Sequence, residues 1–465
     1  MAIKPLVFSE ATELTAISPL DGRYRKTIQE LAPFVSEMAL INTRIEVEAK
    51  YLIALSESRI VRSITNREKK LLINLGQNMT TKQIERVKEI EKTTRHDVKA
   101  VERAFRELLK DTSLNDLVEM IHFGLTSEDI NNLSYRLLLQ RATYSVCLPT
   151  IEQIVEELVK KANRYKATAM ISRTHGQPAL PTTLGKEFSV FAIRLHTQLQ
   201  KLKKQKFTGK LNGAVGNFNA LHFAYPNVNW INFSKNFVSS FGFIPNLSTT
   251  QINAYDDTSE CFQTYQRINS IIVDLDQDIW RYISDNWFIQ EVKKGEVGSS
   301  TMPQKVNPID FENSEGNLGM ANAILGFMSS KLIVSRLQRD LSDSTVIRNI
   351  GTALGFCLIG YKSTLNGLKR IIPNEDKIDA ELQKDWVILT EAVQTILRKA
   401  GVSDPYSLIA SISRGNHIKK DAWKVWVGSL PVEKKYKIVL KNLTPNKYTG
   451  LAVKLTERAI SQIKK

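Results

Sequence analysis

Long apolar stripes at helical spacing constrain this chain most. From Ile151, apolar or small residues recur at Ile151, Ile154, Val155, Leu158, Val159, Ala162, Tyr165 and Ala169. Steps of three and four residues put them on one face of a helix. Similar runs cover residues 184–206, 257–285, 310–337 and 344–370. Pro149 suits the N-terminus of the first helix. A helix of about 25 residues is ~38 Å long. Helices of that length seldom bury every stripe within one chain. The pattern predicts an all-α bundle that oligomerises through its long helices.

Three polar segments interrupt the helices: SRTHGQPALPTT (172–183), LNGAVGNFNA (211–220) and KKGEVGSSTMPQKVNP (293–308). Connections in helical bundles usually run to roughly 2–8 residues. The third segment is longer and rich in small residues, which points to a functional loop. Pro373-Asn374-Glu375 breaks the pattern again, and a weaker boundary lies near 112–117. These breaks divide the chain into an N-terminal segment (1–114), a central long-helix segment (115–370) and a C-terminal segment (371–465).

Composition excludes several classes. Apolar residues make up 42% and charged residues 24%, ordinary for a globular protein and wrong for a disordered or collagenous one. Cys147, Cys261 and Cys357 are odd in number and widely spaced, so neither a disulfide framework nor a zinc site is expected. The net charge of +16 raises the question of nucleic acid. From His417 onward, however, there are 12 Lys/Arg against 3 Asp/Glu, so much of the excess is one solvated lysine-rich tail. No Arg-rich, aromatic-interleaved stretch appears. An anionic small substrate is a second contributor. No apolar run approaches the ~20 residues of a membrane span. MAIKPLVFSEATELTA does not read as a secretory leader, so a cytoplasmic protein is expected.

The 293–308 segment places Ser299 and Ser300 ahead of Lys305 and Asn307, with glycines at 295 and 298. A serine hydroxyl becomes a base only where an ammonium and aimed N–H groups stabilise its alkoxide. Alone, a GSS triplet reads equally as a polar turn. His175, between Arg173 and Gln177, is the side chain best suited to proton transfer near neutral pH. Taken alone, it also suits a structural hydrogen bond. TSED (126–129) reads as a helix cap, and His122 as structural. Arg23 and Tyr24 follow a Pro-x-Asp-Gly turn. Arg336, Arg339, Ser344 and Arg348 form a second basic group that suits phosphate or carboxylate, or ion pairing with Asp340 and Asp343.

Together these segments resemble a known family. GSSTMPQKVNP is similar to the signature loop SSxMPxKxNP of the fumarase/aspartase superfamily. SPLDGRY, TTRHDVKAVE, HFGLTSEDINN, SRTHGQPALPTTLGKE, NGAVGN, TTQI and QRDLSDSTVIRN narrow the resemblance to the adenylosuccinate lyase family. It extends from about residue 18 to residue 349. The resemblance implies β-elimination of fumarate from adenylosuccinate and from the succinocarboxamide intermediate SAICAR. It implies no metal or organic cofactor. It also implies a three-domain, all-helical lyase fold and a homotetramer whose active sites are shared between subunits.

Roles follow from the same resemblance. Ser299 resembles the base and His175 the acid on the leaving nitrogen. Lys305 and Asn307, with Thr126, Ser127 and Ser300, resemble the positions that hold the succinyl carboxylates, and Val306 between them resembles a substrate-binding position. Arg23 and Tyr24, with Ser344 and Arg348, resemble nucleotide-phosphate contacts, and Thr345, Val346 and Ile347 resemble substrate-binding positions. Arg95, His96, Asp97, Gln251, Asn313 and Arg339 resemble further substrate-binding positions. Two positions depart from the pattern. Gln304 stands where His is frequent, and Arg95 where Asn is common. Neither removes a proton-transfer group.

Overall fold

The structure, a computed structural model, describes residues 12–292, 301–302, 304–413 and 417–464. Helices fall where the stripes lie: Leu148–Arg164, Leu184–Lys203, Asp256–Ser284, Ile309–Lys331 and Ile350–Arg370. Several expectations need correction. Pro149 opens no helix. Ser127–Ala142 runs through a π-turn at Thr143–Cys147 directly into Leu148–Arg164. Proline lacks the N–H that would donate four residues back, and its ring crowds that carbonyl. The wider π-turn absorbs both defects without ending the helix.

The stripe at 344–370 is also interrupted, into Ser342–Ile347 and Ile350–Arg370. Asn349 Nδ2 donates to the Thr345 carbonyl at 3.2 Å, competing with the backbone for a helical acceptor. The 310–337 stripe stops at Lys331, whose ammonium donates to the Val334 carbonyl at 3.1 Å.

The described chain forms two compact units whose boundaries fall inside the long helices. Unit one holds residues 1–150, 198–270 and 316–360; unit two holds 151–197, 271–315 and 361–465. In unit one, helices Glu37–Glu57, Asn66–Gln77, Thr81–Thr94 and Asp97–Lys110 enclose a core that includes Ile41, Ile45, Leu52, Leu72, Val87, Val101 and Phe105. Capping boxes at Thr65/Glu68 and Thr80/Gln83 fix two of the helix starts. Gly76 permits close packing, since a Cβ there would stand 2.8 Å from Glu46 Cα. Phe105 is fully buried, and its truncation to Ala should cost about 3–5 kcal/mol.

Unit two supplies a further correction. SRTHGQPALPTT is no irregular connection but most of an antiparallel hairpin, Ala169–Thr174 paired with Gln177–Thr183. Its strands are short and carry two prolines, so the alternation that marks a strand is weak. At the register shift between Ile171 and Arg173, the Ser172 hydroxyl donates to the Leu180 carbonyl at 2.6 Å and accepts from the Leu180 N–H at 3.3 Å. The side chain thus supplies bonds that the irregular ladder lacks. A second antiparallel pair joins Phe288–Gln290 to Ile371–Pro373. Asn374 then caps Glu375–Gln383, which packs on the first strand of the hairpin.

Candidate active site

Asp97 organises the first group of functional side chains, in unit one. His96 is the N-cap of Asp97–Lys110, and its Nδ1 accepts from the Lys99 N–H at 3.2 Å. That bond assigns the ring proton to Nε2, which faces Ser127 Oγ at 3.5 Å. Asp97 Oδ2 accepts from Arg44 and Arg348 Nη2, each at 2.7 Å. Burial alone would raise the Asp97 carboxyl, but the two guanidinium groups hold it well below its ordinary range. Arg348 also approaches Glu37 at 3.9 Å and lines a cleft of 440 Å³ with Ser18, Arg25 and Thr352. The preceding residue, Ile347, is buried in the core, so only its backbone can meet a ligand. Ser344, Val346 and the exposed Thr345 sit on the same short helix.

Thr126 caps Ser127–Ala142 in a capping box with Asp129. The reading of TSED as a cap therefore holds, and the cap also brings Ser127 to His96. Glu128, fully buried, meets Arg339 Nη2 at 3.0 Å, and Asp343 lies 3.6 Å from the same nitrogen. Burial pushes the Glu128 carboxyl up, with Arg339 opposing. Arg339 Nε, Arg44 Nη1 and Asp343 Oδ2 are buried with no hydrogen-bond partner among the described residues. Gln251 donates to the Ala214 carbonyl at 3.2 Å, so TTQI is tied to the NGAVGN turn. Arg23 lies over the Tyr24 ring at 6.0 Å, directly after the turn closed by Gly22 N–H to Ser18 O. Arg95 ends Thr81–Thr94 at φ +50°. Asn tolerates that left-handed position better than Arg does, so the residue common there in the family also suits the backbone.

The second group lies in unit two. His175 and Gly176 are the two residues between the paired Thr174 and Gln177, at φ +54° and +74°. Two positive φ values are what a two-residue type I′ hairpin turn requires. Holding a non-glycine residue there costs about 1–2 kcal/mol. The turn leaves the imidazole exposed at the hairpin tip. Arg173 braces it from below: Nη1 donates to the Gly176 carbonyl at 3.2 Å, and the guanidinium lies 5.2 Å from the Trp287 ring centroid.

Ser299 and Ser300 lie outside the described residues. Lys305 is exposed, and the Val306 carbonyl accepts from Gln290 Nε2 at 3.1 Å. Asn307 is half-buried, and Asn313 donates to Ser363 Oγ at 2.7 Å. Arg370 contacts residues on both sides of this stretch. Its Nε and Nη2 donate to the Glu291 carbonyl at 3.2 and 3.1 Å, and Nη1 to Asp310 at 3.1 Å.

Sequence reasoning missed Arg44, Lys210 and Arg370, and read Glu128 and Asp129 only as part of a helix cap. A signal was present for Arg44, a charge between Ile41 and Ile45 on a buried helical face. Arg370 and Lys210 carried none, because their partners are distant in sequence or are backbone atoms.

Comparison with known proteins shows the family. A family profile described as lyase matches residues 22–326, and one described as adenylosuccinate lyase C-terminal matches 335–449. The chain is 43% identical over 453 residues to the adenylosuccinate lyase of Haemophilus influenzae, covering 97% of this chain and 99% of that one. It is 42% identical over 452 residues to that of Escherichia coli K12, covering 96% and 99%. Two solved structures share the fold at 16% identity. A fumarate lyase from Mesorhizobium sp. BNC1 has a TM-score of 0.75 over 93% of this chain and 97% of that one. A 3-carboxy-cis,cis-muconate lactonizing enzyme from Pseudomonas putida has 0.74 over 95% and 98%. The chain has the all-α lyase fold and is a lyase; it belongs to the fumarase/aspartase superfamily and, within it, to the adenylosuccinate lyase family.

Proposed function

We propose that the protein cleaves adenylosuccinate to AMP and fumarate, and SAICAR to AICAR and fumarate, in purine nucleotide synthesis. The observation that carries this reading is the meeting of three separated segments in unit one. TTRHD, TSED and QRDLSDSTVIR converge through Asp97–Arg348, His96–Ser127 and Glu128–Arg339. The Arg339 Nε, buried without a partner among the described residues, is a donor suited to an anionic ligand.

In the proposed reaction, the Ser299 alkoxide takes a proton from the succinyl carbon next to a carboxylate. The electron pair of that C–H bond passes through the carbanion into the new C=C bond of fumarate. The C–N bond breaks, and His175 gives its proton to the departing nitrogen. Lys305 and Asn307, with Thr126 and Ser127, hold the carboxylate on which charge accumulates. Arg23, Tyr24, Ser344 and Arg348 hold the nucleotide phosphate; Gln251, Asn313 and Arg339 orient the remainder. No metal or organic cofactor enters these steps.

The active assembly in this reading is a cytoplasmic homotetramer with sites shared between subunits and the three segments 1–114, 115–370 and 371–465 as its domains. It acts on small molecules, not on nucleic acid or membrane. Large apolar residues exposed on the described long helices, among them Met320 and Phe327, support burial against other copies. No described helix is long and apolar enough to cross a membrane.

Purified protein given adenylosuccinate should release AMP, followed by the ultraviolet absorbance change. Absence of turnover at millimolar substrate, or turnover of argininosuccinate or malate instead, would overturn the reading. Light scattering should give four times the 52.7 kDa chain mass.

A further inference from the structure

The Asp129–Lys210 pair is the most enclosed ionic contact in unit one, with both side chains at 0% exposure and 3.2 Å between Lys210 Nζ and Asp129 Oδ1. Two charges withdrawn from water seldom stabilise a protein relative to an apolar pair of the same volume. The surrounding bonds show what this pair does instead. Asp129 Oδ2 accepts from the Thr126 N–H at 2.9 Å and the Gly213 N–H at 3.1 Å, and Oδ1 from the Asn212 N–H at 3.0 Å. Lys210 Nζ returns to the Gly213 carbonyl at 2.8 Å. Asn132 holds the Lys210 backbone from both sides, accepting from its N–H at 2.9 Å and donating to its carbonyl at 3.1 Å. Beyond Gly213 the turn continues into a second tie. Asn212 Nδ2 donates to Thr249 Oγ1 at 2.8 Å, and a Cβ on Gly216 would stand 2.2 Å from the Thr249 carbonyl.

We infer that Asp129 and Lys210 are positioning residues: they lock the 211–217 turn to the helix start that carries Thr126 and Ser127, so that these two segments and Gln251 present one fixed surface to the substrate. This deepens the proposed function and rests on it for the substrate. A carboxylate is required at 129 because N–H groups from two segments arrive on its two oxygens. An amide has one acceptor oxygen, and with that oxygen facing Thr126 and Gly213 its NH₂ would face the Asn212 N–H and the Lys210 ammonium, so Asn there loosens the tie to the 211–217 turn.

The test compares Asp129→Asn with the charge-balanced Asp129→Asn/Lys210→Met. The double variant should fold, because both buried charges are gone. Its KM for adenylosuccinate should rise about tenfold or more with kcat within about threefold, the pattern of lost ground-state positioning. Amide hydrogen exchange at 211–217 should quicken, whatever the substrate. Wild-type KM and unchanged exchange in the double variant would overturn the inference. So would recovery of wild-type KM on adding Lys210→Met to Asp129→Asn, which would reduce the pair to charge balance. Failure of both variants to fold would make it part of the folding core and overturn the inference as well. If wild-type protein turns over no adenylosuccinate, the proposed function fails, and the exchange measurement still decides the positioning.

Discussion

His175 is set by its backbone as much as by its chemistry. A positive φ at the first position of a type I′ turn is favourable for Asn or Gly and strained for Ala. His175→Asn therefore removes the imidazole and keeps the hairpin. In the proposed mechanism it should lower kcat by ~10²–10⁴ with an unchanged or slightly raised thermal midpoint. His175→Ala should lose kcat and stability together, so the pair separates chemistry from strain. Near-wild-type kcat in His175→Asn would show that another group protonates the nitrogen. His122 is also left-handed, and its role is structural. Nδ1 lies 2.5 Å from Oε1 of the buried Glu48, and the His122 N–H donates to Glu48 Oε2 at 3.1 Å. Burial pulls the His122 pKa down, but Glu48 overcomes it and the net direction is up. A raised histidine stabilises the fold fully below its unfolded value of about 6.5, and that contribution disappears as pH rises through the folded value. The thermal midpoint should therefore fall as pH rises above about 6.5. His122→Asn, which tolerates the same φ, should flatten that fall. An unaltered slope would remove His122 as its source.

At the scale of elements, helices were legible because periodicity records burial on one face. Breaks written in backbone or side-chain competition were not. The π-turn ahead of Pro149 and the Asn349 interruption left no trace in the apolar pattern. The hairpin that carries His175 was hidden by its prolines and by the Ser172 bonds. Motif residues were legible as chemistry, while their supports were not. Arg370 shows why: its Nε and Nη2 both donate to a main-chain carbonyl 79 residues away. Its guanidinium joins Glu291 to Asp310, and a lysine has no fork with which to span both. Arg370→Lys should cost about 1–3 kcal/mol, read as a lowered thermal midpoint. Asp310→Asn should act in the same direction. The double variant should lose less than the sum, because both changes break one contact. Strict additivity would mean that the 3.1 Å ion pair contributes nothing.

For the molecule as a whole, the two groups of candidate residues fall in different compact units, with His175 in one and Asp97, Ser127 and Arg348 in the other. The long helices run through both units and expose apolar side chains that a lone chain leaves in water. Sequence reading reached this point from helix length alone, and the expectation of subunit-shared sites came from the family resemblance. Mixing two inactive variants tests the sharing. If His175 and Ser299 of one site come from different chains, His175→Ala/Ser299→Ala mixed tetramers as a population contain sites with both wild-type residues. Random association leaves each position wild type half the time, so activity should recover to roughly a quarter of wild type. If both residues come from one chain, every site carries one lesion and mixing restores nothing. Subunits must be exchanged by mild denaturation and reassembly, and wild-type enzyme treated alongside calibrates recovery. Recovery near a quarter supports sites built across chains, and full silence with reassembled tetramers places His175 and Ser299 on one chain.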